Sequence, residues 1–94
     1  MSVYLVTWSI QIDQPDYDHA CEEFVRHLEK MDHTSGVGLE TIRWISTPGT
    51  PDDIRGYLEQ KLDGNDCLFV TQLRRGEHDG MLDEQVWTWI KARL

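Results

Sequence analysis

The hydrophobic period of this chain changes between two and about 3.6 residues in a regular order, and this order limits the fold more than any other feature. Apolar residues at every second position indicate a strand, whereas a spacing of three and four positions indicates an amphipathic helix. The predicted order is strand, helix, strand pair, helix and strand, followed by a short helix. The clearest strand patterns cover 3–10, 41–47 and 67–73, and the helix patterns cover 17–31, 50–63 and 81–94.

Both long helices begin at recognisable signals. Asp16 can cap the first helix. Thr50 predicts the N-cap of the second, because Pro51 occupies the first helical position and Asp53 follows three residues after the cap, a spacing typical of a capping box. Gly64 is the stop signal of this helix. The first helix has one apolar stripe, formed by Tyr17, Ala20, Cys21, Phe24, Leu28 and Met31.

The order of elements is that of the ferredoxin-like α+β fold, βαββαβ, with helices on one face of an antiparallel sheet and a short C-terminal helix packed on the domain. Residues 35–40 predict a short edge strand or an extended connection, because two glycines interrupt them. The second face of the sheet is expected to be wet or buried against another subunit. Trp8 and Trp44 are the dimer-interface candidates, since exposed indoles are unusual on a monomer.

The length of 94 residues predicts one domain, 1–94. Cys21 and Cys67 each fall at an apolar position, which favours two reduced core thiols over a disulfide. The chain opens with no recognisable leader and contains no apolar run long enough for a membrane span, so we expect a cytoplasmic protein without membrane contact.

Acidic residues outnumber basic ones by 17 to 9, which gives a net charge of −8. Such a chain repels nucleic acid at long range, so binding to nucleic acid without a partner is not expected. Arg74 and Arg75 form the one local basic cluster. They predict either the solvated end of a strand or a phosphate contact.

Several segments resemble the small bacterial proteins of the SinR family, within the broader Cas-two-like group of CRISPR-associated proteins and their toxin-related cousins. These segments are YLVTWSI, DY before the first helix, STP and PDDIRGYL around the second, LDGNDCLFVTQL, and the closing VWTWI. The resemblance runs nearly end to end. It implies a ferredoxin-like protomer that pairs with a copy of itself through the sheet.

Members of this group with assigned nuclease activity place an aspartate at the end of the first strand, and the dimer brings two such carboxylates to one divalent cation. In this sequence the resemblance puts Ser9 at that position, which implies a vestigial nuclease site. A serine hydroxyl is a poor anchor for Mg²⁺, which prefers carboxylate oxygens. Asp13 is the nearest carboxylate that could replace the lost ligand, and otherwise it is an ordinary loop residue.

His19, Glu23 and His27 recur every fourth position on the first helix, a spacing that can place metal-binding groups together. They are assigned to the polar side of that helix, so a solvated helix face is favoured. No catalytic residue, metal ligand or cofactor is therefore expected, and Mg²⁺ is implied only if nuclease activity remains.

Three functions are compatible with the sequence. The first is a non-enzymatic, Cas-two-like dimeric module, associated through its resemblance with a defence or mobile-element system and able to bind a protein partner. The second is a residual metal-dependent endonuclease, which Ser9 and the net charge disfavour. The third is an acidic inhibitor that mimics nucleic acid on a basic partner, although ordinary solubility explains the same charge.

Overall fold

The computed structural model describes residues 1–94 and contains four strands and three α-helices. Strands β1 to β4 are Ser2–Ser9, Asp32–Thr34, Ile42–Thr47 and Cys67–Gln72. Helices α1 to α3 are Tyr17–Leu28, Pro51–Leu58 and Glu84–Arg93, and a 3₁₀ turn, Glu59–Lys61, extends α2. None of the helices is long and apolar enough to cross a membrane.

The strands form one antiparallel sheet in the order β2-β3-β1-β4. The predicted βαββαβ order with a C-terminal helix is therefore confirmed. The short edge strand, β2, lies before residues 35–40, and these residues form the connection into β3, which was the other predicted alternative. Gly38 has a φ of +81° in this turn, a conformation that strands do not use and that glycine adopts without strain.

The first face of the sheet is covered by α1 and α2. Even-numbered residues of β1 point to this face and pack on the apolar stripes of both helices. Phe24 is fully buried here, and its ring centre lies 4.9 Å from that of Trp8. Burial of such a side chain stabilises the fold by about 1.5–3 kcal/mol. The buried residues of this core are Tyr4, Val6, Trp8, Ile10, Phe24, Leu28, Ile45, Ile54 and Leu58.

One end of the second face is covered by α3. Val86 and Ile90 of this helix are buried against Val3, Trp44 and Leu73 of the sheet. Helix α3 of the same chain therefore buries part of the second sheet face, which the sequence predicted to contact either water or a second subunit.

An ion pair attaches the C-terminal end of α3 to the edge of the sheet. The Nε atom of Arg93 donates to Oδ2 of Asp32 in β2 at 2.7 Å. This hydrogen bond is the main reason why the pKa of the Asp32 carboxyl lies below its usual value. The Arg93 guanidinium also lies 4.2 Å from the ring centre of Trp89 on the same helix, so it contacts both Trp89 of α3 and Asp32 of β2.

The two tryptophans expected at a dimer interface lie on opposite faces of the sheet. Trp8 packs under α1, whereas Trp44 is paired with Leu5 in the register of β1 and β3 and packs under α3. Each side chain is only 6% exposed. Neither indole is therefore open to a second copy, because the chain's own helices cover both. This finding corrects their assignment as interface residues.

The predicted capping box of α2 is present. The Thr50 hydroxyl accepts from the backbone N–H of Asp53 at 3.1 Å, and Oδ2 of Asp53 accepts from the backbone N–H of Thr50 at 2.9 Å. The hydrogen bond from the Thr50 backbone, followed by the contact with the Thr50 side chain, lowers the pKa of the Asp53 carboxyl. Two of the backbone donors at the start of α2 are satisfied in this way.

This box predicts a pH dependence of stability. Because the pKa of Asp53 is lower in the folded state, its carboxylate stabilises the fold above the unfolded-state pKa of about 3.9, and this stabilisation is lost as pH falls through the folded-state pKa. We expect Asp53→Asn to have a lower melting temperature than wild type at pH 7. The difference in melting temperature should be smaller at pH 2.5. Asp13→Asn, in an exposed loop, is the control. A gap of equal size at both pH values would contradict the assignment.

Candidate binding surface

The half of the second sheet face that α3 does not reach is open to solvent. Odd-numbered residues of β1 and β4 point to this face, and the pairs Thr7 with Phe69 and Ser9 with Cys67 lie side by side in the register. The Phe69 side chain is 61% exposed, and Ser9 and Cys67 are also exposed. We call these four residues, Thr7, Ser9, Cys67 and Phe69, the open strip.

The open strip is neutral, although the chain carries a net charge of −8. It offers two hydroxyls, a thiol and a phenyl ring, and it presents neither a cation for phosphate nor a carboxylate for a metal. Aromatic side chains are enriched and charged ones depleted at the centre of protein–protein contacts, so Phe69 is the candidate contact residue of the strip. Phe69 is the one large aromatic side chain that is exposed on the sheet.

Cys67 was expected to be a core thiol, and this expectation is wrong. Its side chain is exposed on the open strip, because α3 ends its cover before this part of β4. Cys21 is half-buried on α1, and both cysteines are free. The prediction of two unpaired thiols is confirmed.

Ser9 lies at the end of β1, where the resemblance puts the nuclease aspartate. Its neighbour across the strand pair is Cys67, so a hydroxyl and a thiol are the side chains at this point. Mg²⁺ requires hard oxygen ligands, chiefly carboxylates. These residues therefore do not fit a magnesium site, and no group of three or more His, Cys, Asp or Glu side chains lies close enough to hold a metal ion.

The carboxylate that does reach the end of β1 is that of Asp66, and not that of Asp13. Oδ1 of Asp66 accepts from the backbone N–H of Gln11 at 2.9 Å, and Oδ2 accepts from the backbone N–H of Asp63 at 2.9 Å. Asp13 is exposed in the loop that follows β1. Asp66 thus fixes the turn before β4 to the end of β1, which is a positioning role.

The sequence contained a signal for this clamp. In the turn Asp63-Gly64-Asn65-Asp66, Oδ1 of Asp63 accepts from the backbone N–H of Asn65 at 2.8 Å. Aspartates that bind the backbone two or three residues away are typical of such turns. The spacing predicts the local turn, but the long-range bond to Gln11 depends on the pairing of β1 with β4.

The helical triad expected on the solvated side of α1 is divided by the structure. The side chains of His19 and Glu23 remain at the surface, 4.0 Å apart, whereas His27 is buried. Nε2 of His27 donates to the backbone oxygen of Tyr57 at 2.8 Å, and the two rings stack with centres 3.8 Å apart. The assignment of His27 to the polar face is therefore wrong. It lies in the contact between α1 and α2.

Arg74 and Arg75 are both exposed just beyond the end of β4. Nη2 of Arg75 donates to the backbone oxygen of Leu94 at 2.9 Å, which holds this loop near α3. Arg74 makes no side-chain hydrogen bond or ion pair within the chain. A phosphate contact at this pair stays a prediction.

The tryptophans of α3 flank its buried side. Trp87 and Trp89 are partly buried beside the second core, and the ring of His78 lies 6.2 Å from that of Trp87. They therefore contribute to the packing of α3.

No protein-family model and no curated protein matches the chain. The resemblance to the SinR family and the Cas-two-like group stays a prediction that rests on the segments quoted above.

Proposed function

We propose that this protein is a non-enzymatic homodimeric module that works by binding proteins. Its resemblance to the Cas-two-like group suggests a role beside a defence or mobile-element system in the cytoplasm. The observation that carries the proposal is the open strip. A sheet surface with Phe69 61% exposed and no charge is suited to contact with another protein.

The end of β1 supports binding rather than cleavage. A nuclease of the resembled type needs a carboxylate at Ser9, and the carboxylate that reaches the end of β1, on Asp66, already accepts two backbone hydrogen bonds. Moving Asp66 to a metal would leave the N–H of Gln11 and that of Asp63 without their partner. Each lost bond of this kind costs about 0.5–1.5 kcal/mol. The side chains at this position thus favour a protein that has the fold of the resembled enzymes without their metal-dependent chemistry.

Two measurements on wild-type protein test the proposal together. Light scattering at tens of micromolar should give twice the monomer mass of 11.0 kDa. RNA and DNA, single- and double-stranded, should stay intact with Mg²⁺ or Mn²⁺, at the level of a chelator control. A monomer at every concentration would contradict the dimer. Metal-dependent cleavage that is lost in Asp13→Ala would favour the endonuclease and make Asp13 a ligand.

A further inference from the structure

Strand β4 is an edge of the sheet, and its outer side has hydrogen-bonding groups to offer. The backbone N–H of Leu73 donates to the oxygen of Val3 at 2.8 Å. In an antiparallel ladder the residues bonded to the neighbour alternate with residues that point away from it. The backbone groups of Leu68, Val70 and Gln72 therefore point away from β1, towards the open side of the sheet.

Strand β4 lacks the features by which natural proteins prevent an edge strand from pairing with another chain. Protected edges carry lysine, proline, charge or a bulge, whereas β4 reads CLFVTQ and contains none of these residues. The charges begin just outside the strand and have opposite signs at its two ends. Asp63 and Asp66 precede β4, and Arg74 and Arg75 follow it.

We propose that β4 pairs antiparallel with β4 of a second copy, with the two-fold axis at Val70. The inference rests on the proposed homodimer and states which surface forms it. In this register Leu68 lies opposite Gln72 of the partner subunit, and the outward backbone groups of both strands bond to each other. Asp66 then lies opposite Arg74 of the partner subunit and keeps its two backbone hydrogen bonds, because each carboxylate oxygen can accept more than one. The same pair recurs on the other side of the axis.

The charges at the two ends of β4 favour a second copy of this chain as the partner of the edge strand, and they favour the antiparallel orientation. Two chains of net charge −8 repel each other, so a dimer needs local attraction at its interface. The antiparallel register supplies this attraction twice, because each acidic end meets a basic end. A parallel arrangement would place arginines against arginines and aspartates against aspartates, which costs affinity.

The same pairing explains the position of Phe69. Its side chain points to the second face of the sheet, and the axis places it opposite Thr71 of the partner subunit. Each phenyl ring then gains a neighbour across the new strand pair, an arrangement worth about 0.2–1 kcal/mol in antiparallel sheets. The two open strips lie at opposite ends of the new strand pair and meet at its centre, where the two phenyl rings are diagonal neighbours.

Gln72→Pro tests the pairing directly. Proline removes the outward N–H of residue 72, which makes no bond to β1, so the fold is expected to persist. We expect the mass by light scattering to fall from dimer to monomer, with the circular dichroism spectrum unchanged. Gln72→Ala is the matched control, since it also loses the side-chain bond to Ser2 but keeps the N–H, and it should remain a dimer.

A charge variant tests the same interface without touching the backbone. Arg74→Glu places two repelling pairs in the dimer, and we expect its dissociation constant to rise about tenfold. Lys30→Glu makes the same change in net charge just before β2, at the opposite edge of the sheet from β4, and should leave the constant within about twofold.

The outcomes separate this inference from the proposed function. Wild-type protein that is monomeric overturns both. A wild-type dimer that persists in Gln72→Pro and in Arg74→Glu overturns the β4 pairing and leaves the homodimer standing. Equal weakening by Arg74→Glu and Lys30→Glu would show that general repulsion, rather than the Asp66–Arg74 pairs, sets the affinity, and would overturn the register.

Discussion

Replacing Ile90 by alanine is expected to lower the free energy of unfolding by about 2–5 kcal/mol. Ile90 is 1% exposed and contacts the part of the sheet that holds Val3 and Trp44. Truncation of Ile90 removes apolar contacts and leaves a cavity. Helix α3 cannot easily move to fill this cavity, because Arg93 holds it to Asp32 of β2. Urea unfolding followed by tryptophan fluorescence measures the change, because Trp44 lies beneath the helix.

The exposed side of the same helix provides the control. Thr88→Ala changes a residue that faces solvent, and a surface substitution of this kind should stay within about 0.5 kcal/mol of wild type. The loss in Ile90→Ala should also be independent of protein concentration, since the contact lies within one chain. A small effect, or one that grows on dilution, would mean that a second copy rather than α3 covers Trp44.

The contrast between α3 and the other helices shows what the sequence could predict. The stripe on α1 and the capping box at Thr50 are local patterns, so both helices and their common face were predictable. The docking place of α3 was not, because Val86 and Ile90 could have packed on either side of the domain. The predicted exposure of Trp44 failed for this reason, as did the predicted burial of Cys67 at the other end of the same face.

The candidate site was predictable to a similar extent. The odd and even sides of β1 and β4 follow from the period of a strand, so the neighbours of Ser9 could be assigned once the pairing was known. The clamp by Asp66 depends on a contact across 55 positions of the chain, which no local spacing encodes. His27 falls at a position that a helical wheel assigns to the edge of the polar side. His27 becomes buried only because Tyr57 of α2 packs against it.

The contact between His27 and Tyr57 leads to the second large effect. Tyr57 donates its hydroxyl to the backbone oxygen of His27 at 2.8 Å, and Nε2 of His27 donates in return to the backbone oxygen of Tyr57 at 2.8 Å. Since a carbonyl only accepts, Nε2 carries a proton in this contact. Nδ1 is buried and has no hydrogen-bond partner.

His27→Ala is expected to cost about 2–4 kcal/mol of unfolding free energy. Truncation of a buried aromatic side chain costs about 3–5 kcal/mol, and the removal of the unpartnered Nδ1 offsets about 1 kcal/mol of that loss. His27→Phe keeps the stacked ring and also removes Nδ1, so it should cost less than the alanine variant. Tyr57→Phe loses one hydrogen bond and should cost about 0.5–1.5 kcal/mol. Urea unfolding of the three variants gives this order.

The variants His27→Phe and His19→Ala together distinguish a packing role of His27 from a metal-binding role. The His27 side chain is turned into the contact of α1 with α2, whereas His19 is 72% exposed on the surface of α1. The two imidazoles therefore cannot share an ion without separating the helices. We expect Zn²⁺ to leave the melting temperature of wild type unchanged, since a ligand stabilises only the state that binds it. A rise with Zn²⁺ that is lost in both His27→Phe and His19→Ala would contradict the packing role and restore the helical triad as a metal site.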